Sequence, residues 1–367
     1  MSRPLLGLIL LASALGAFAL SAALTAMVRR AALRIGFVDQ PGGHKSHRQA
    51  TPYGGGVAIF LACWLPALLL LILAVAAPAD WVARLLGETA SVYLGGLKLR
   101  AAPASIILLG GAILHVMGLI DDRRPLGASA KLLVIFGVAV LVATLGRVRV
   151  AELAGDSGSI LLTVLWFAVI INTFNFLDNM DGLSGGVAAI CLGFLAICGL
   201  LAGQVLVPVV AIAALGAICG FLVFNFPPAT IFMGDAGSLL IGYVLAVVSV
   251  LTTYYESGEG VPPYALAMPL VILAVPLYDC ATVIAIRLRE GRNPMTGDQR
   301  HFSHRLVDHG LSRRSAVLTI YLATATTGLA GTLLPGASLR ETITIGILVL
   351  LVLGIVAILE SPPRKDA

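Results

Sequence analysis

Apolar runs of 18 or more residues recur from one end of this chain to the other. Such a run is long enough to cross roughly 30 Å of hydrocarbon as a helix. In that solvent every backbone N–H and C=O must be paired within the chain, which leaves helices and closed barrels as the only spanning structures. Barrel strands would alternate in segments of roughly 10 residues, and these runs do not. The composition agrees: 59% hydrophobic, 12% charged, and a mean hydropathy of +0.98 over 367 residues. A soluble domain carries roughly 25% charged residues. A soluble enzyme, a disordered chain, a coiled coil and a nucleic-acid-binding module are thereby excluded. The expected class is an all-α polytopic integral membrane protein, residues 1–367 forming a single multi-pass domain.

The hydropathy pattern predicts eleven spans, at 4–28, 54–77, 103–120, 129–146, 159–177, 185–203, 205–226, 238–254, 265–286, 315–334 and 342–360. Sixteen Lys and Arg fall in 29–53, 121–128, 287–314 and the tail after 360; seven fall on the opposite face. Positive charge marks cytoplasmic loops. The N-terminus is therefore expected outside and the C-terminus in the cytoplasm. The first span is expected to be retained, because Arg29, Arg30 and Arg34 follow its apolar run, whereas a signal peptide carries its charges in front. Cys63, Cys191, Cys198, Cys219 and Cys280 all lie in apolar segments, without metal-ligand spacing or a disulfide framework.

The residues that can do chemistry fall in the expected cytoplasmic loops 29–53, 121–128, 178–184, 227–237 and 287–314, and at the span ends beside them. A pump or channel would need polar groups through the membrane depth. Asp121 and Asp122 are adjacent acids at a helix end. They read either as a solvated end beside Arg123 and Arg124, or as a pair that needs a cation or a raised pKa. Asp178 and Asp181 are three apart, and on a helix they would share a face. Asn172, Asn175 and Asn179 stand beside them, more polar groups than helix capping requires. Asp235 lies between Gly234 and Gly237 in FMGDAGS, a pattern equally at home in a turn. Two basic clusters follow the same double reading, as phosphate contacts or as membrane-surface anchors: His44, Lys45, His47 and Arg48; and Arg300, His301, His304 and Arg305 beside Asp298. Three acidic clusters suit Mg²⁺ shared with substrate phosphates. Two basic clusters suit more than one phosphate group. Transfer between phosphates needs positioning and charge neutralisation more than covalent help. The residues alone thus reach Mg²⁺-dependent phospho-transfer to or from a lipid.

The segments GLIDDR, NTFNFLDNMDGLSGG and FMGDAGS, with the HFSHRL loop, resemble in this order the polyprenyl-phosphate N-acetylhexosamine-1-phosphate transferases. The wording DNMDGL is similar to the WecA-like branch. The sister branch acting on MurNAc-pentapeptide usually has TDGLDGL and three consecutive histidines. The resemblance implies transfer of a sugar 1-phosphate, GlcNAc-1-phosphate first among them, from a UDP-sugar to undecaprenyl or another polyprenyl phosphate. UMP would be released and an envelope glycan initiated, in the bacterial inner membrane with the site on the cytoplasmic face. It implies Mg²⁺, or Mn²⁺ in its place. By resemblance Asp121, Asp122, Asp178, His301 and His304 are catalytic, and Asp121, Asp122 and Asp235 hold the metal. Lys45, His47, Arg48, Asn172, Asn175, Asn179, Asp181, Phe232, Arg300 and Arg305 bind substrate, Phe232 lying against the uracil. Direct attack by the lipid phosphate is preferred over a covalent aspartyl intermediate. Ser303 stands where the family commonly has the middle histidine of HxHH, which bears on sugar preference. Asp279 matches a recurrent family acid without an assigned role. A homodimer is compatible with the sequence but not required by it. A different UDP-sugar is the alternative within the class; a secondary transporter is the alternative outside it.

Overall fold

A computed structural model describes residues 3–39, 50–150, 155–252, 266–295 and 300–360. The expected basic cluster of His44, Lys45, His47 and Arg48 lies outside these residues, as does Asp298. The described chain is all-α apart from one hairpin of two two-residue strands. In order it runs α1 (Arg3–Ile35), β1 (Val38–Asp39), β2 (Thr51–Pro52), α2 (Gly55–Ala76), α3 (Ala79–Leu86), α4 (Glu88–Leu99), α5 (Ala101–Arg123) and α6 (Ala128–Thr144). There follow α7 (Gly155–Leu177), α8 (Leu183–Leu201), α9 (Leu206–Asn225), α10 (Asp235–Thr252), α11 (Met268–Ile272), α12 (Ala274–Arg289), α13 (Phe302–Asp308), α14 (Arg313–Thr332) and α15 (Leu339–Leu359).

Among the described residues nine helices are long and apolar enough to cross a membrane. Two of the eleven expected spans are not among them. α6 is apolar but only 17 residues long. The expected span 265–286 is broken between α11 and α12. Pro276 explains the break: it has no N–H, and its ring clashes with the carbonyl four residues back, at Ile272, where α11 stops. Two further departures concern loops. The segment 78–102, expected as an outer loop, holds α3 and α4. α1 runs on to Ile35, so Arg29, Arg30 and Arg34 ride on a helix rather than in a loop.

α10 is the axis of the bundle. Its apolar residues run all round, and most of the helix is buried, as expected for a helix enclosed by others. It packs on α7, α5, α8 and α2, while α1 lies on α9 and α14 on α8. α1 and α15 keep mostly exposed apolar faces, which suits contact with lipid.

The ends of these helices set the site. α5 and α7 finish, and α6, α8 and α10 begin, on the same face. Gly118 lets α5 come against the start of α10: a Cβ there would lie 2.4 Å from backbone atoms of Ala236. The hairpin joins the same face, since Pro52 O accepts from Phe232 N at 2.8 Å, and Phe232 O accepts from Gly55 N at 2.9 Å.

Candidate active site

The acid pair ending α5 divides its work. Asp122 Oδ1 accepts from Asp235 N at 2.7 Å and Asp122 Oδ2 from Ala236 N at 3.3 Å. Its carboxylate thus satisfies the first free N–H groups of α10, where the helix dipole also favours a negative charge. Gly234 makes room: it has φ +72°, and a Cβ would stand 2.4 Å from Asp122 Oδ2. Asp121 faces elsewhere. Its Oδ1 accepts from Leu126 N at 2.7 Å, and its Oδ2 lies 3.0 Å from Lys131 Nζ. The same ammonium is 2.8 Å from Asp235 Oδ2. Lys131 therefore bridges two carboxylates from different helices. His115, buried on α5, lies with Nδ1 3.0 Å from Ala236 O and steadies the same turn.

Asp178 and Asp181 do not share a helical face. α7 ends at Leu177, and both acids lie in the turn before α8. The turn still brings them into the cluster. Asp181 Oδ2 accepts from Ala229 N at 2.9 Å. No hydrogen bond reaches the Asp178 carboxylate among the described residues. Burial, and then the negative charges of Asp235, Asp122 and Asp181, push its pKa well above the usual carboxylate range. The turn is held by Gly182: its N donates to Asn225 Oδ1 at 2.9 Å, and its O accepts from Tyr321 OH.

The asparagines separate. Asn175 Nδ2 donates to Ser238 Oγ of α10 at 3.0 Å. Asn179 Nδ2 donates to Phe176 O at 2.9 Å, and its Oδ1 accepts from Ser303 Oγ. Asn172 donates to Ala168 O one turn back at 2.7 Å and so bonds its own helix. Phe232 is half-buried, its ring 6.0 Å from that of Tyr53. Burial, and then the charges of Asp39, Asp122 and Asp178, raise the pKa of Tyr53.

The histidine loop meets the Asp178 turn through α13. His304 is partly buried beside the Asn179 backbone. Burial, followed by the neighbouring His301, lowers its pKa. His301 is 3% exposed and lies with Nδ1 2.9 Å from Asp279 Oδ2. Arg305 Nη2 is 3.0 Å from Glu360 Oε2 and donates to Thr282 Oγ1 at 3.2 Å. Arg300 Nη2 lies 3.0 Å from Glu290 Oε1. Both guanidiniums thus have intramolecular carboxylate partners.

Among the described residues no three acid, histidine or cysteine side chains converge to enclose a metal alone. The donor chemistry still fits a hard cation. Asp121, Asp122, Asp178 and Asp235 form one interacting group, and among the described residues Lys131 is the one ammonium paired with any of them. That leaves an excess of negative charge on oxygen ligands. Mg²⁺ commonly binds through one or two carboxylates plus substrate phosphates, so an incomplete protein cage is what such a site requires.

The model of glycosyl transferase family 4 matches residues 104–253. A probable undecaprenyl-phosphate N-acetylglucosaminyl 1-phosphate transferase of Bacillus subtilis is 33% identical over 312 residues, covering 82% of this chain and 77% of that one. The chain belongs to glycosyl transferase family 4. A decaprenyl-phosphate N-acetylglucosaminephosphotransferase of Mycolicibacterium smegmatis is 36% identical, with 81% of this chain and 75% of that one covered. The undecaprenyl-phosphate alpha-N-acetylglucosaminyl 1-phosphate transferase of Escherichia coli is 27% identical over 81% and 76%. The family match contains Asp121, Asp122, Lys131, Asp178, Asp181 and Asp235 and stops short of α13.

Several residues of this family 4 site escape sequence reasoning. Lys131 carried a signal, being the one ionised residue of an otherwise apolar span. Asn225 and Tyr321 carried none, because their partners are distant in sequence.

Proposed function

We propose that the protein transfers N-acetylglucosamine 1-phosphate from UDP-N-acetylglucosamine to a polyprenyl phosphate, releasing UMP. The reading rests on one observation: four interacting carboxylates from three helix ends, two of them bridged by Lys131, at one face of a membrane bundle. The activities named for the similar Bacillus, Mycolicibacterium and Escherichia proteins point the same way. A site so placed takes one substrate from water and the other from the bilayer. The positive-charge asymmetry supports a cytoplasmic orientation of this face, in what we take to be a bacterial inner membrane.

In the proposed reaction an oxygen of the lipid phosphate attacks the β-phosphorus of the UDP-sugar. The bond from that phosphorus to the bridging oxygen breaks, and UMP leaves. No covalent intermediate on the enzyme is needed. Asp235 and Asp121 are the residues that would hold Mg²⁺ (or Mn²⁺), which neutralises charge on the diphosphate when bound. Asp122 keeps Asp235 in place through the α10 backbone. Asp178, whose carboxylate accepts no hydrogen bond among the described residues, takes the proton of a lipid phosphate arriving as monoanion. Lys131 offsets charge between the acids. Phe232 offers a ring to the uracil, and His304 a neutral imidazole beside the Asp178 turn.

The test offers purified protein UDP-GlcNAc, UDP-GalNAc and UDP-MurNAc-pentapeptide side by side, with and without polyprenyl phosphate. UMP release from UDP-GlcNAc that depends on the lipid is expected. Release from UDP-MurNAc-pentapeptide alone would move the protein to the sister branch. No lipid-dependent release from any donor would end the reading.

A further inference from the structure

Asp279 has no part in the chemistry proposed above, and the family match ends before it. It is nonetheless a nearly inaccessible acid, 2% exposed, near the start of α12. Both of its oxygens are engaged by α13: Oδ1 accepts from Phe302 N at 2.7 Å, and Oδ2 lies 2.9 Å from His301 Nδ1. A carboxylate only accepts, so Nδ1 of His301 carries a hydrogen. His301 caps α13, its carbonyl accepting from His304 N and Arg305 N at 3.0 and 3.1 Å. The next residues reach the acid cluster: Ser303 Oγ donates to Asn179 Oδ1, and His304 lies beside the Asn179 backbone. Asn179 directly follows Asp178. A second residue of α12, Arg287, lies over the Phe176 ring at 5.2 Å, and that ring meets His301 edge-on at 6.4 Å.

We infer that Asp279 is a positioning residue for the transfer. It locks His301 as the Nδ1–H tautomer and so seats the first turn of α13 on the Asp178–Asp181 turn. Ser303, buried and bonded to Asn179, belongs to this seat. Its replacement of a histidine therefore acts on the position of Asn179 rather than on the sugar. The inference rests on the proposed function only for its turnover readout; the tautomer is a property of the protein alone.

The test uses Asp279→Asn, His301→Gln and the double variant in the full-length protein. Asn keeps an acceptor for Phe302 N–H, but its amide donates, so His301 Nδ1 must accept and Nε2 carries the hydrogen. Removing a residue that orients a functional histidine typically costs about 10- to 100-fold. A fall in kcat of about that size is expected for Asp279→Asn, with the UDP-sugar KM moving less than about three-fold. The double variant should be no slower than His301→Gln, because Asp279 acts through His301. Independent, multiplying effects would overturn the inference, as would unchanged kcat in Asp279→Asn. A second measurement needs neither variant folding nor turnover. Nitrogen-15 shifts of labelled histidines should show Nδ1 protonated at His301 of the native protein; an Nδ1 without a hydrogen overturns it. A native protein with the expected tautomer and no lipid-dependent UMP release would instead overturn the proposed function.

Discussion

Asp122 and Asp235 are joined by the hydrogen bond from Asp235 N to Asp122 Oδ1, at 2.7 Å. The last turn of α5 thereby holds the first turn of α10, and two acids separated by more than a hundred residues are fixed in one place. Asp122→Asn retains a capping oxygen and should fold normally, whereas Asp122→Ala should lose about 1 kcal/mol of stability. Turnover should follow the cap, falling further in the Ala variant than in the Asn variant, while UDP-sugar binding, followed by calorimetry in detergent, stays nearly intact. Loss of UDP-sugar binding in the Asn variant would contradict this division of the site.

Lys131→Met removes the ammonium that Asp121 and Asp235 share. Two facing carboxylates would then repel. Turnover should fall at least about ten-fold, the effect of roughly 1.4 kcal/mol. Thermal stability should fall further in EDTA than in Mg²⁺. Equal losses in both conditions would mean that no cation substitutes for the lysine.

Asp178 sets a pH dependence. Its pKa is raised in the folded protein by burial and by Asp235, Asp122 and Asp181. Between its unfolded and folded values the native state binds more protons, so stability falls as pH rises through that window. Asp178→Asn removes this slope. In EDTA the variant should be more stable than the native protein at pH 8, and the difference should shrink towards pH 4. A variant less stable at pH 8 would show that the Asp178 charge is compensated.

Phe232→Ala should raise the UDP-sugar KM with little change in kcat. An aromatic stack contributes about 0.5–1.5 kcal/mol beyond area burial, which is roughly two- to twelve-fold when it acts equally on ground and transition states. Steady-state kinetics read this directly. An unchanged KM would take the uracil away from Phe232.

Ser129 is exposed at the start of α6, and Gly336 is exposed at the other end of the bundle, between α14 and α15. Cysteine at 129 should react with a membrane-impermeant thiol reagent only once the cytoplasmic face is opened. Cysteine at 336 should react in intact cells. The reverse pattern would invert the topology and place the acids outside.

The fold class and acid clusters are legible in the sequence because they rest on local signals. Apolar length marks helices, and acids ending apolar runs stand out. What stays hidden depends on partners far along the chain. That Asp122 caps the α10 backbone shows only once the fold brings the two together. Asp178 and Asp181 keep helical spacing although α7 has already ended at Leu177. Arg305 reads as a phosphate contact, yet it faces Glu360, 55 residues later. The break before α12 was visible in Pro276, but a hydropathy window averages over it.

The central claim is that a phosphoryl group, and not a bare sugar, moves to the lipid. UDP-GlcNAc labelled at the β-phosphorus, incubated with polyprenyl phosphate and Mg²⁺, tests it most directly. The account predicts that the label passes into the organic phase as a lipid diphosphate sugar while unlabelled UMP remains in water, and that EDTA stops the transfer. Label remaining in water as UDP while the sugar enters the lipid phase would contradict it.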